Sequence, residues 1–278
     1  MSQNQNIKIY SDIDWQLLWK NSRMTKSWKS KNAKEWSKKS ASFAQRTRHS
    51  SYVEQFLSAI DVDNNTTVLD VGCGPGTLAV PYAQKVSRVT AIDYSEGMLA
   101  QLREFADEHN VQNIKTLNCS WEDDWEEKQI GRYDLVIASR SMNIDNLAEG
   151  IKKLDRHALK QVVIADRIAP SPFDPDAFAA IGRDFSSGPD YIYTVNMLYH
   201  FNIHPRIQHI ELPGELCFSS LDDAIQSYKW MFRELSQEEE RKLTAFLSSK
   251  VLEKNDDGIV IKRNYPQRWA LLSWTKKS

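Results

Sequence analysis

Between residues 66 and 168, five short apolar runs alternate with amphipathic stretches, and this rhythm restricts the fold more than any other feature of the chain. TTVLDVG (66–72), SRVTAID (87–93), NIKTLNC (113–119), YDLVIASR (133–140) and QVVIADRI (161–168) read as strands. Their apolar character is that of strands covered on both faces. Residues 77–85, 95–109 and 145–159 read as helices between them, with Ser95 placed to cap the second. Strands that alternate with helices join as right-handed crossovers, so an α/β fold with a doubly wound parallel sheet is expected.

The rhythm changes on both sides of this block. The first fifty residues are polar and helical in pattern, with amphipathic segments at 12–20 and 32–47, and SYVEQFLSAI (51–60) is a clearer amphipathic helix. After Pro170, helices are expected at 174–184, 190–201, 221–234 and 236–252, and a strand at RIQHIEL (206–212). IVIKRN (259–264) and QRWALLSW (267–274) flank Tyr265-Pro266 and are expected to run antiparallel, because so short a turn cannot make a parallel crossover. The proline-containing stretch at 170–204 is the expected cap insertion.

Composition excludes several classes. A length of 278 residues allows one full core with insertions, and 41% hydrophobic and 26% charged residues are those of an ordinary globular chain. A net charge of -1 argues against a protein that coats nucleic acid, although residues 1–50 carry eleven Lys and Arg against three Asp and Glu. Cys73, Cys119 and Cys217 lack the spacing of a zinc site or disulfide framework, which suits a reducing compartment. No signal peptide and no apolar run of roughly 18 residues is present, so a cytoplasmic protein without a membrane span is expected.

The chemistry concentrates at Asp70-Val71-Gly72-Cys73-Gly74-Pro75-Gly76, a glycine-rich turn between strand and helix. Such a turn lets backbone approach a nucleotide-like ligand. Three details separate it from a dinucleotide site. Thr77 stands where that fingerprint wants a small residue, and the third glycine comes early. Pro75 removes a donor from a turn that would otherwise cradle pyrophosphate. Asp70 would repel phosphates but suits an ammonium. Asp93 ends the second strand, 21 residues beyond Gly72, where a carboxylate reaches ribose hydroxyls. Tyr94 and Met98 are placed to pack on a base.

VLDVGCGPGTLAVPYA (68–83) and AIDYSEGML (91–99) resemble the first two motifs of class I S-adenosylmethionine-dependent methyltransferases of the small-molecule, type 11-like kind; the resemblance spans roughly residues 35–170. It implies a seven-stranded, mostly parallel sheet with an antiparallel C-terminal strand. It implies S-adenosylmethionine as cofactor, with Asp70, Gly72 and Gly74 around its methionyl part, Asp93 on its ribose and Thr77 among the cofactor-binding residues. Asn118 to Asp123 would flank the adenine. The acid common in the family is replaced there by Ser120, so Trp121 and Glu122 are expected to share its role. WSKKSASFA (36–44) is similar to the helix that often closes over the cofactor, making residues 1–50 a lid on a domain at 51–278.

Methyl transfer is an in-line displacement that gains from alignment and a dry site, and a base is needed only for a nucleophile that keeps its proton. The acceptor is expected at the ends of the fourth and fifth strands, near Ser139, Arg140, Ser141, Asn143, Asp166 and Arg167, with Ser139 also expected to touch the cofactor. Tyr193 and His200 are candidate bases, and Arg140 and Arg167 suit an anionic acceptor unless salt bridges to Asp145 or Asp166 occupy them. No metal site is expected, because Pro205 interrupts His200, His204 and His209 and no carboxylate completes the set. The expected partner is a small-molecule acceptor. A tRNA or rRNA methyltransferase with a basic clamp, a non-catalytic binding protein and a dinucleotide oxidoreductase are the alternatives, and oligomeric state stays open.

Overall fold

A computed structural model describes residues 9–28, 30–48, 50–232, 234–256 and 258–276. Residues 1–8, Lys29 and His49 of the expected lid lie outside them.

The main sheet takes β1 (Thr67–Val71), β2 (Arg88–Asp93), β3 (Ile114–Asn118), β4 (Tyr133–Ser139), β5 (Ala158–Arg167), β6 (Arg206–Glu211) and the last strand, β10 (Arg268–Thr275). Their spatial order is β3-β2-β1-β4-β5-β10-β6. β1 to β5 are mutually parallel, and β10 runs antiparallel to both β5 and β6. The chain leaves β1 toward β2 and later returns to β4 on its other side. That reversal opens a crevice at the carboxyl ends of β1 and β4, where ligands of such sheets bind.

Helices cover both faces. One apolar layer joins Leu69, Val136 and Ile164 of the sheet to α6 (Leu147–His157), α8 (Tyr191–His200) and Trp19 of α1 (Trp15–Thr25). The opposite layer joins Val68, Ile137 and Leu271 to α3 (Ser51–Ser58), α4 (Ala79–Ala83) and α5 (Glu96–Glu108). A third cluster stands apart, built from α7 (Pro175–Ala180), α9 (Leu221–Lys229), α10 (Gln237–Ser249) and a small sheet of order β7-β9-β8. Its strands are β7 (Glu215–Phe218), β8 (Val251–Asn255) and β9 (Gly258–Lys262).

Two expectations change here. The antiparallel pair expected at 259–274 does not form, because β9 pairs with β7 and β8 while β10 lies inside the main sheet. Burial explains the separation. β9 buries alternate residues, Ile259 and Ile261, as a strand with one covered face does, whereas Trp269 to Leu272 are buried without a break. The linker is pinned instead by buried Arg263, which donates to the carbonyls of Phe173 (2.5 Å) and Pro172 (3.2 Å). The cap also differs from 170–204: Phe173 to Ile181 join the third cluster, but Met197 and Leu198 of α8 are buried against the main sheet.

The N-terminal segment is a strap across the carboxyl edge. α1 packs on α6 and α8, and α2 (Ala33–Thr47) packs on α5. Asn32 and Glu35 cap α2 reciprocally, and Asp14 caps α1.

Candidate active site

At the glycine turn, Gly72 N–H and Cys73 N–H both donate to Ile92 O (2.8 and 3.0 Å), which folds the turn over the end of β2. Gly72, Gly74 and Gly76 take φ of +68°, +53° and +81°. Their missing side chains have different causes. A Cβ on Gly72 would lie 2.4 Å from Ser141 Cβ, and a Cβ on Gly76 2.8 Å from Leu102 Cγ. A Cβ on Gly74 would meet nothing within 4 Å, so this is where open backbone faces the crevice. Ser141 Oγ also donates to Val71 O (2.7 Å), fastening the loop after β4 to the turn.

Two buried carboxylates flank the turn. Asp93 accepts Gly74 N–H (2.9 Å) and Ser95 N–H (2.8 Å), one on each oxygen. Burial raises its pKa and those two bonds oppose the rise. Asp70 is 2% exposed and its Oδ2 has no hydrogen-bond partner. Burial first, and the Asp93 charge second, push Asp70 up to about 7, while Arg140 pulls the other way. Such a group takes up a cation readily. Nearby, Tyr52 OH and Ser139 Oγ are 2.6 Å apart, and burial raises Tyr52 to about 12. Tyr82 OH is buried without a partner.

Beyond β3, Cys119 N–H (3.1 Å) and Asn118 Nδ2 (3.3 Å) donate to Asp93 O, bringing the expected adenine segment beside the carboxylate. Ser120 Oγ accepts Glu122 N–H and Asp123 N–H (both 3.2 Å), closing a tight loop. Glu122 is exposed, and Trp121 turns toward Trp125, ring centroids 5.6 Å apart. The strap covers this half: Tyr94 OH donates to Lys31 O (3.0 Å), and the hydroxyls of Ser37 and Ser95 are 2.9 Å apart. Thr77 and Met98 are buried, Thr77 with its hydroxyl 3.0 Å from that of Thr47 in α2.

On the other half, Arg140 follows β4 with a φ of +57° and donates its N–H to Ala165 O (2.8 Å). The salt bridges expected as alternatives go elsewhere. Asp145 pairs with Arg23 (2.6 Å), and Asp166 accepts Thr194 Oγ1 (2.7 Å) and Arg167 N–H (2.8 Å). Arg167 Nε donates to Pro189 O (2.8 Å) and its guanidinium lies on Trp28, 4.9 Å from the ring centroid. Tyr193 is half-buried beside Trp19, centroids 6.1 Å apart. His200 is exposed at the carboxyl end of α8, beside Phe201 (5.7 Å). Asp70, Gly74, Asp93, Ser139 and Arg140 therefore gather at the crevice, whereas His200 does not. Tyr52, Tyr82 and Trp269 escaped sequence reasoning, since each sits in an apolar or helical pattern that gives no local sign of a site.

A family model described as a methyltransferase domain matches residues 68–161. An uncharacterised protein of Haemophilus influenzae is 36% identical over 244 residues, covering 86% of this chain and 88% of that protein. A ubiquinone biosynthesis O-methyltransferase of Acinetobacter baumannii is 43% identical over 75 residues, covering 27% of this chain and 31% of the enzyme. Among solved structures, a putative methyltransferase from Bacillus halodurans has a similar fold, with a TM-score of 0.58 at 18% identity, 82% of this chain and 100% of that one.

Proposed function

The chain belongs to the class I S-adenosylmethionine-dependent methyltransferases, and from that premise we propose that it binds the methyl donor at the glycine turn and methylates a small molecule held beyond β4 and β5. Asp70 carries the reading. Its partnerless Oδ2 lies buried below a turn whose open backbone is at Gly74. A dinucleotide would bring phosphates against that carboxyl; an amino-acid ammonium would satisfy it. Each oxygen of Asp93 accepts one N–H and keeps acceptor capacity for a ribose hydroxyl. Asn118 to Ser120, beside Tyr94, would border the adenine, with Trp121 and Glu122 forming the outer rim and Met98 and Thr77 supporting the wall.

When bound, S-adenosylmethionine supplies an electrophilic methyl on a sulfonium. The protein's part is alignment and the exclusion of water. Asp70 and Asp93 hold the two ends of the donor, and the strap shields that half through Ser37–Ser95, Thr47–Thr77 and Lys31–Tyr94. Ser139 and Arg140 then face the acceptor. Tyr193 borders that side against Trp19, and the proposal requires no base from it unless the acceptor carries a proton of high pKa. The basic N-terminal segment gives little support to a nucleic-acid substrate. Arg23 pairs with Asp145, Arg48 with Glu108, and Lys31 lies over the rings of Trp36 (5.1 Å) and Trp230 (5.4 Å). Among the described residues no helix is long and apolar enough to cross a membrane.

Calorimetry tests the donor assignment. S-adenosylhomocysteine, the demethylated product, is expected to bind and NAD not; the reverse would remove the reading. Asp93→Ala is expected to weaken binding by about 1–3 kcal/mol through the loss of charge-assisted hydrogen bonds.

A further inference from the structure

We infer that Arg140, with Trp269 and Tyr52, forms a receptor for a carboxylate on the methyl acceptor, so that the substrate is an anionic small molecule. This deepens the proposed methyl transfer and rests on it.

The Arg140 guanidinium lies 4.2 Å from the centroid of the Tyr52 ring and 5.7 Å from that of Trp269. Those rings are 6.1 Å apart and nearly perpendicular, at 74°. Aromatic rings of this kind hold a guanidinium in place by stacking and leave its in-plane donors for a planar anion. Arg140 makes no ion pair among the described residues; its backbone N–H donates to Ala165 O, and its guanidinium lies over the two rings. Trp269 Nε1 is buried and has no partner either. The buried indole N–H without an acceptor and the half-buried guanidinium without an ion pair lie together, and an anion would complete both. Independently, the left-handed φ of +57° at a non-glycine residue is the kind of backbone cost that a functional position sustains.

The sheet order assigns this receptor to the acceptor. The glycine turn and Asp93 rise from β1 and β2, on one side of β4. Trp269 rises from β10, in register with Arg167 of β5, on the opposite side. The guanidinium lies beside Trp269, on that far side. Asp70 is close enough to influence Arg140 electrostatically but does not pair with it, and burial weakens the guanidinium's hold on its proton. A carboxylate placed there gains the bidentate geometry that an ammonium on Asp70 cannot supply.

The test uses the full chain loaded with S-adenosylhomocysteine and benzoate as the carboxylate probe, with benzamide as its neutral counterpart. Benzoate is expected to bind saturably and to shift the indole N–H resonance of Trp269, and benzamide to bind at least about tenfold more weakly. Arg140→Ala is expected to abolish benzoate binding, Arg140→Lys to keep part of it, and Trp269→Phe to weaken it while sparing the fold. The affinity for S-adenosylhomocysteine is expected to stay within about twofold of wild type in Arg140→Lys and Trp269→Phe, which keep the positive charge near Asp70. Equal benzoate binding by wild type and Arg140→Lys and Arg140→Ala would overturn the proposal. So would a loss of S-adenosylhomocysteine affinity in Arg140→Lys with unchanged binding of 5′-methylthioadenosine, since the arginine would then serve the donor's own carboxylate. Should wild type bind benzoate but no S-adenosylhomocysteine, the donor reading fails while the anion receptor stands.

Discussion

Gly72, Gly74 and Gly76 share a left-handed backbone but differ in what stands before them, and substitution separates their roles. Gly72→Ala drives a methyl group into Ser141 at 2.4 Å. It is expected to lower the melting temperature through a cost of about 1–3 kcal/mol of overpacking in addition to the backbone strain. Gly74→Ala meets nothing within 4 Å. Its fold is expected to lose only the backbone cost, about 1–2 kcal/mol, while binding of S-adenosylhomocysteine drops further because the added methyl occupies the open face. If both variants lose stability and binding in equal proportion, the distinction is wrong. Most of this site was legible in sequence because its chemistry is local: Asp70, the three glycines and Asp93 lie in two consecutive strand ends. What was not legible is assembled across the sheet. Tyr52 meets Ser139 over a separation of 87 residues, and Trp269 reaches Arg140 from the last strand. A tyrosine in an amphipathic helix and a tryptophan in an apolar strand carry no sign of such partners.

At the scale of elements, the strap depends on close approach. Gly97, in the first turn of α5, lets Ser37 of α2 come near enough that a Cβ would lie 2.7 Å from Ser37 Cα. Gly97→Val is therefore expected to lift α2, seen as faster amide exchange over residues 33–47, with weaker binding of S-adenosylhomocysteine. Unchanged exchange would show that α2 is held by other contacts. The cap depends on a buried charge. Arg263 and Asp174 are each 3% exposed and 3.5 Å apart, and Tyr228 OH adds a bond to Asp174 (3.2 Å). Arg263→Ala strands the carboxylate, and a loss of about 3–5 kcal/mol in denaturant unfolding is expected. The strands and helices of 66–168 were readable because their periods are strong, whereas β7, β8 and the true partners of β9 were not. Their strands are short, and the choice between pairing β9 with β10 or with β7 is made by tertiary burial rather than by the Tyr265-Pro266 turn.

For the whole molecule, sheet and strap border one crevice, with the carboxylates Asp70 and Asp93 on its β1–β2 side and Arg140 toward β10. Asp70 lies within electrostatic reach of Asp93, Arg140, Tyr52, Tyr82 and Cys73. Asp70 sets the pH behaviour. Its pKa rises from 3.8 to about 7 on folding, so the folded chain keeps a proton that the unfolded chain has released between those values. The ligand-free protein is therefore most stable toward the acid side of that window and loses stability as pH climbs through about 7. Asp70→Asn is expected to lessen that loss and leave the share of Asp93, Asp166 and Asp174, whose pKa values burial also raises. Ligand binding runs the other way, because a donor ammonium needs the ionised carboxylate. The most direct test is calorimetry of S-adenosylhomocysteine binding from pH ~5.5 to ~8.5 with wild type and Asp70→Asn. Wild-type affinity is expected to rise with pH, by up to about tenfold per unit below the transition, and to level off above it, while the variant binds weakly with a flat profile. A flat wild-type profile, or the same slope in both proteins, would contradict the claim that Asp70 receives the methyl donor's ammonium.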